Sequence, residues 1–171
     1  MDFESKVYIV TGSSSGMGRS CCMKLLEAKA CVVGVDMNDC TIDNECYTHV
    51  KANVLDEEKI EELVKNTAAR FGHIDGLVNA AGVFANNKPF YELTTEAWNR
   101  VLSINTTGTF IVSKAVSKEM ITQKKGKIVN ISCIRSTIFK QNMAEYAASK
   151  GAVASMTSAM ALDLAPYNIQ V

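Results

Sequence analysis

Tyr146 and Lys150 stand four residues apart in a segment of helical period, Tyr146-Ala147-Ala148-Ser149-Lys150, so a phenol and an ammonium project from one helix face. That arrangement suits acid–base chemistry. A cation beside a phenol favours phenolate and draws its pKa down from about 10 towards the range of a working proton donor and acceptor. Taken alone, a Tyr and a Lys at this spacing are more often simple neighbours, so the pair needs corroboration from the rest of the chain.

A glycine-rich turn, Thr11-Gly12-Ser13-Ser14-Ser15-Gly16-Met17-Gly18, follows the first strand-like run and opens a helix that carries Leu25 and Leu26. At such a helix start, free N–H groups and the helix dipole favour a pyrophosphate, and the glycines allow a tight turn and close backbone approach. The spacing is G-x3-G-x-G, not G-x-G-x-x-G, and three glycines before a helix also serve as a purely structural turn. Asp36 supports the phosphate reading. It lies 18 residues beyond Gly18 at the end of the next strand, the distance expected of a carboxylate that bonds an adenosine ribose. The competing reading is an ordinary strand-end turn residue. A carboxylate there repels a 2′-phosphate, no Lys or Arg stands among Ser13, Ser14 and Ser15 to offset it, and Arg19 by itself is weak counter-evidence; NAD is expected over NADP.

The third polar feature is Asn105. It interrupts a stripe of Trp98, Val101, Thr109, Val112 and Val116 recurring every three or four positions from Thr95 to Met120. A buried amide must find partners or cost about 1–3 kcal/mol, so Asn105 either satisfies local backbone or has a task. Cys21, Cys22, Cys31, Cys40, Cys46 and Cys133 show no paired framework and are expected to be buried free thiols. Cys40, Cys46 and His49 have metal-like spacing but no fourth ligand, and no metal is expected.

These residues need a scaffold that brings strand ends together. Val7 to Val10, Cys31 to Val35, Thr48 to Lys51, Ile74 to Asn79 and Lys127 to Ile131 read as strands, each largely apolar as a strand covered on both faces should be. They alternate with helical segments, the pattern of βαβ units and a parallel sheet. One helix is opened by Asp56-Glu57-Glu58 and closed by Gly72; the stripe from Thr95 to Met120 is a second; a third runs from about Met143 to Ala165 and stops at Pro166. Asn168 to Val171 begins a sixth strand. The expected class is α/β, a Rossmann-like doubly wound parallel sheet with helices on both faces, truncated at the start of that strand, in one domain over 1–171.

Composition narrows the partners. Eighteen Lys and Arg balance 18 Asp and Glu, which leaves no net basic field for nucleic acid or an anionic membrane surface. No apolar run reaches the length of a membrane-spanning helix. Met1-Asp2-Phe3-Glu4-Ser5-Lys6 has no signal-peptide character, so a cytoplasmic location is expected.

The ordered set Thr11 to Gly18, Asp36, Asn79-Ala80-Ala81-Gly82, Asn105, Ile128-Val129-Asn130-Ile131-Ser132 and Tyr146-x3-Lys150 resembles the short-chain dehydrogenase/reductase family from the first strand to the last residue. The resemblance implies NAD(P)-dependent interconversion of an alcohol and a carbonyl by hydride transfer. Tyr146 would exchange the proton with the substrate oxygen. Lys150 would hold the nicotinamide ribose and lower the phenol pKa, and Asn105 would anchor a water linking Lys150 to solvent. Gly12, Ser14, Ser15, Gly16, Met17, Gly18, Asp36, Met37, Asn53, Val54, Asn79, Ala80, Ala81 and Gly82 would line the cofactor cleft with Tyr146 and Lys150. Asn53 stands where the family usually has Asp. A small-molecule alcohol or ketone substrate and a homodimer or homotetramer follow from the same resemblance.

Three further departures are visible. The family's substrate-oxygen donor is a serine thirteen residues before the tyrosine, which is Cys133 here, while Ser132 falls one residue early and on the opposite strand face. A thiol is a weaker donor, and losing a donor to a developing oxyanion costs about 2.7–4 kcal/mol in known cases, so turnover is expected to be reduced unless a longer loop returns Ser132 to the site. Lys29 replaces a helix-ending glycine, at a cost on the order of 1 kcal/mol if the backbone is left-handed there. The family's later nicotinamide and substrate loops are absent, which leaves a truncated NAD-binding module with little turnover as the alternative reading. Phe84, Asn86, Arg135 and Met143 line what remains of the substrate side or are surface and core.

Overall fold

The structure is a computed structural model describing residues 3–171; Met1 and Asp2, part of the stretch read above for a leader, lie outside the described residues. Six strands, β1 (Val7–Thr11), β2 (Cys31–Asp36), β3 (Tyr47–Lys51), β4 (Gly76–Asn79), β5 (Gly126–Asn130) and β6 (Ile169–Gln170), pair in parallel in the order β3-β2-β1-β4-β5-β6. The order reverses between β1 and β4. At such a switch point the connections leave in opposite directions and open a crevice beyond the carboxyl ends of the strands.

Alternation along the strands divides the core. Ile9, Val33 and Val35 pack with Ile60, Leu63 and Val64 of α2 (Glu57–Phe71) and with Val112, Val116 and Met120 of α4 (Gly108–Gln123). Val10 and Val32 face the other way, onto Cys22 and Leu26 of α1 (Gly16–Glu27). The doubly wound expectation is met. Asp56 caps α2 by accepting from the Lys59 N–H (3.2 Å), and Gly72 ends it at φ 78°, as the sequence signals require.

Several boundaries differ from expectation. Ile74 belongs to no strand, because the Gln123 side chain bonds its N–H (2.7 Å) and C=O (2.9 Å) in place of a ladder partner. The long helix is not uniform: α3 (Thr95–Leu102) passes through one π turn, Ser103–Thr107, before α4 begins. β6 pairs only with Gly126 and Lys127, so the rest of β5 is an edge and Val129 is exposed. Of the six cysteines only Cys22 is buried; Cys40 and Cys46 are exposed, because the segment joining β2 to β3 lies on the surface. Lys29 does adopt the left-handed conformation, φ 64°. No helix among the described residues is long and apolar enough to cross a membrane.

Candidate active site

The glycine turn is built by contact. A Cβ on Gly18 would lie 2.1 Å from the Gly12 carbonyl oxygen, so only glycine lets α1 start this close to the end of β1. Gly16 is the opposite case: its φ of 51° is left-handed, yet a Cβ there would meet nothing within 4 Å, so the backbone faces open space. Ser15, at the helix N-cap, makes no side-chain cap, and the first turn of α1 holds no acidic residue. Its N–H groups and dipole are therefore left to an anion.

Asp36 shapes the far wall. One carboxylate oxygen accepts from the Ser14 N–H (3.0 Å), and the other from the Asn38 backbone (2.9 Å) and side chain (3.0 Å). Among the described residues it makes no ion pair. Arg19, the cation left as counter-evidence, donates instead to Thr41 Oγ1 (3.2 Å) and the Thr41 carbonyl (3.4 Å). Asn53 uses its amide oxygen on the Leu55 N–H (3.0 Å). His49 directs its ring nitrogens to the Tyr47 hydroxyl (3.1 Å) and the Asn38 carbonyl (3.0 Å).

Where β4 ends, Thr11 Oγ1 accepts from the N–H groups of Ala80 and Ala81 (3.1 Å each), tying that turn to β1. Asn79 is buried behind it. Its amide donates to Ser113 Oγ and Asn130 Oδ1 (2.9 Å each), and Asn130 donates on to Thr157 (3.0 Å), which locks β4 to β5 and both to the helices above. Asn105 accepts from the Val83 N–H (2.8 Å) and donates to the Val83 carbonyl (3.0 Å) and Ser149 Oγ (3.0 Å). It sits within the π turn, a departure from α geometry that recurs at functional sites. The polar interruption of the stripe is thus a tether to a segment 22 residues away, not a bond to local backbone.

Tyr146 and Lys150 lie on α5 (Ala144–Leu164). The Lys150 ammonium is buried and donates to the Ile131 carbonyl (2.7 Å), lying 5.9 Å from the centre of the Tyr146 ring. The ammonium is thus engaged with backbone and not with the Tyr146 hydroxyl. Burial, and then the neighbouring Cys133 thiol, hold the Tyr146 phenol above its ordinary value. Burial also holds Lys150 below its own, against the influence of Cys133. Ser132 is turned away and donates to the Lys150 carbonyl (2.9 Å), so Cys133, and not Ser132, stands at the phenol.

The glycine turn, Asp36 and the turn after β4 border one cleft, and Tyr146, Lys150, Asn105, Ser132 and Cys133 are not among the residues that line it. A cavity of about 340 Å³ is lined by Gly12, Ser15, Gly16, Met17, Gly18, Asp36, Met37, Asn53, Val54 and Ala80 to Gly82, and also by Val35, Asn38, Ala52, Val83 and Ile104, which sequence reading left out. Ser14 and Asn79 are not on this wall: Ser14 reaches Asp36 by its backbone and Asn79 is buried in the strand lock. Phe84 packs on the Tyr146 ring at 4.9 Å. Asn86 bonds Glu145 Oε1 through its N–H (2.8 Å) and amide (3.2 Å). Arg135 is on the surface near Ile138, and Met143 is buried. Glu145 itself was missed. It is fully buried, its second oxygen has no partner, and an acidic residue in the first turn of a helix gave no sign of either property.

The open N–H groups at Gly16, the cation-free carboxylate of Asp36 and the cavity joining them fit the two ends of an adenosine pyrophosphate. Comparison with known proteins points to one family. The family model described as short chain dehydrogenase matches residues 6–171. 5-Keto-D-gluconate 5-reductase of Escherichia coli K12 is 35% identical, over 97% of this chain and 68% of that protein. NAD-dependent glycerol dehydrogenase of Listeria innocua is 33% identical, over 97% and 67%. The crystal structure of NAD+-bound xylitol dehydrogenase superposes with a TM-score of 0.92 at 36% identity, covering all of this chain and 69% of that one.

Proposed function

The chain belongs to the short-chain dehydrogenase/reductase family of oxidoreductases, and from that premise we propose that it is a NAD-dependent enzyme interconverting a small alcohol and its ketone, with Tyr146 as the acid–base residue. The observation that carries the reading is the single cleft running from Asp36 past the Gly16 amides to Ala80–Val83. A bound nicotinamide dinucleotide supplies the hydride acceptor or donor. The Gly16–Gly18 end of α1 takes the pyrophosphate, and Asp36 takes the adenosine ribose hydroxyls while repelling a 2′-phosphate. Arg19 is engaged with Thr41, which supports NAD over NADP.

Tyr146 gives its proton to the substrate oxygen as a ketone is reduced and recovers it from the alcohol in the reverse direction. With its pKa held high by burial, the phenol is protonated at neutral pH and ready to act as donor. Lys150 bonds the ribose at the nicotinamide end and, freed from Ile131, supplies the nearby positive charge that the phenolate needs. Asn105 holds Val83 and Ser149, which fixes the turn after β4 against α5. The two relatives suggest a small polyhydroxylated substrate, a keto sugar acid in one case and glycerol in the other. Exposed Phe110 and Leu162 on α4 and α5 support association with a second copy.

A second reading, a NAD-binding module with little turnover, is favoured by Cys133 at the phenol, where a serine hydroxyl would be the stronger donor. Calorimetric titration of NAD and NADP separates the cofactor assignment from the rest. NAD should bind more tightly than NADP, and Asp36→Ala should weaken NAD by roughly 10- to 100-fold, the worth of hydrogen bonds to a charged group. Equal affinities for the two dinucleotides, unchanged by the substitution, would sink the assignment. NAD binding with no ketone-dependent NADH oxidation would select the second reading.

A further inference from the structure

Away from the cleft, two thiols stand side by side. Val32 and Tyr47 are the first residues of β2 and β3 in register, and the Val32 N–H donates to the Cys46 carbonyl (2.8 Å), so Cys31 and Cys46 are neighbours one step earlier. Cys46 is the last residue of the turn that leads into β3, and its carbonyl bond to Val32 holds that turn against the start of β2 beside Cys31. Cys46 lies close enough to the Cys31 thiol to raise its pKa. Neighbouring strands lie about 4.7–4.9 Å apart, inside the roughly 4.4–6.8 Å range of Cα separations over which a disulfide closes.

The two thiols are not equivalent. Cys46 is exposed and Cys31 half-buried. Burial first, and then the Cys46 neighbour, hold the Cys31 thiol above its ordinary value, while the Arg70 guanidinium opposes them. That guanidinium is fixed beside the pair by its bond to Thr48 Oγ1 (2.9 Å), where it favours a thiolate. Accessibility makes Cys46 the attacking thiol and Cys31 the resolving one. Cys22 differs from both: burial pushes it up to about 12 and leaves it inert.

We propose that Cys31 and Cys46 form a thiol–disulfide site that reacts with a low-molecular-weight disulfide such as glutathione disulfide. The Cys46 thiolate attacks one sulfur of that disulfide, its S–S bond breaks, one thiolate leaves, and a mixed disulfide forms on Cys46. Cys31 then loses its proton to water and attacks the Cys46 sulfur, which expels the second thiolate. Two protein thiols are oxidised and one disulfide is reduced to two thiols. The new bond closes a ring over residues 31–46 that contains Asp36, Met37 and Asn38 of the cleft wall. Cys40 lies in the same ring and is exposed, its thiol donating to the Ile42 carbonyl (3.2 Å), so it is the competitor to eliminate.

The test is titration of the full chain with glutathione disulfide, followed by peptide mapping by mass spectrometry and by thermal melting. The wild-type and Cys40→Ser chains should both lose two hydrogens through a Cys31–Cys46 cross-link, and their midpoints should rise by roughly 5–10 °C. Cys31→Ser should trap glutathione on Cys46, while Cys46→Ser should leave Cys31 unmodified. A Cys40–Cys46 cross-link, glutathione persisting on Cys46 of the wild-type chain, or no reaction at all would overturn the proposal. None of these readouts depends on cofactor binding.

Discussion

Two aspartates mark the two ends of the sheet, and their surroundings are opposite. Asp75, at the amino end before β4, is nearly buried. It accepts from the Val7 N–H (3.0 Å) and pairs with Lys6 (3.3 Å), His73 (3.0 Å) and Lys125 (3.5 Å). Asp36, at the carboxyl end of β2, meets only the amides of Ser14 and Asn38 and no cation among the described residues. A carboxylate already surrounded by cations has nothing left to offer a ligand, and its removal is felt as lost stability. A carboxylate held in place by amides alone keeps its charge available to a ligand. The same contrast extends to orphaned buried atoms: Ser14 Oγ, Asn79 Oδ1 and Glu145 Oε2 are buried without partners, and all three lie towards the carboxyl end.

If the contrast is right, substitutions at the carboxyl end change chemistry and leave stability, whereas those at the amino end do the reverse. The largest effect is expected from Tyr146→Phe, which should lower kcat for ketone reduction by about 10³-fold with NAD affinity and melting point unchanged. Steady-state kinetics beside calorimetry measures both, and a large loss of stability would break the comparison. Next comes Cys133→Ser, which should raise kcat by about 10²-fold, because a hydroxyl replaces a thiol at the substrate oxygen.

Asp75→Asn should cost about 1–3 kcal/mol in urea unfolding and leave NAD affinity intact. Burial works to raise the Asp75 pKa, but the Val7 N–H, His73 and Lys6 outweigh it and hold the carboxyl below its ordinary value. The stability it contributes is therefore fully present above the unfolded pKa of about 4 and is lost as pH falls through the folded value. Wild type and Asp75→Asn should accordingly keep their full difference above about pH 4 and converge only as pH falls further, through the folded value. The smallest effect is at Lys29, which closes α1 at the amino end with φ 64°. Lys29→Gly should raise stability by about 0.5–1 kcal/mol without touching activity, as chemical denaturation and turnover measured together will show.

Much of this was legible from residue order. Cys133 was reached through the count that the family resemblance implies, whereas Asp56 and Gly72 bracket α2 where their side-chain and backbone chemistry demand and the G-x3-G-x-G turn opens α1. Each is local, or fixed by the two-residue alternation of a strand. What escaped depends on partners distant in sequence. Ile74 looks like a strand residue until Gln123 takes its backbone groups. Glu145 reads as a helix-start acid until Asn86 closes over it.

By itself, then, the sequence determined the alternation of strands and helices, the phosphate-type turn, the carboxylate at the end of β2 and the Tyr–Lys pair, because propensity, capping and periodicity act over a few residues. Only the tertiary structure turned Lys150 to Ile131, set the Ser132 hydroxyl on the Lys150 carbonyl with Cys133 beside the phenol, and gave Asn105 its partners. Those outcomes turn on whether Lys150 reaches the phenol or Ile131, on which way Ser132 faces, and on a π turn that brings an amide to Val83. They are properties of burial and of contacts between segments far apart in the chain, which spacing alone does not encode.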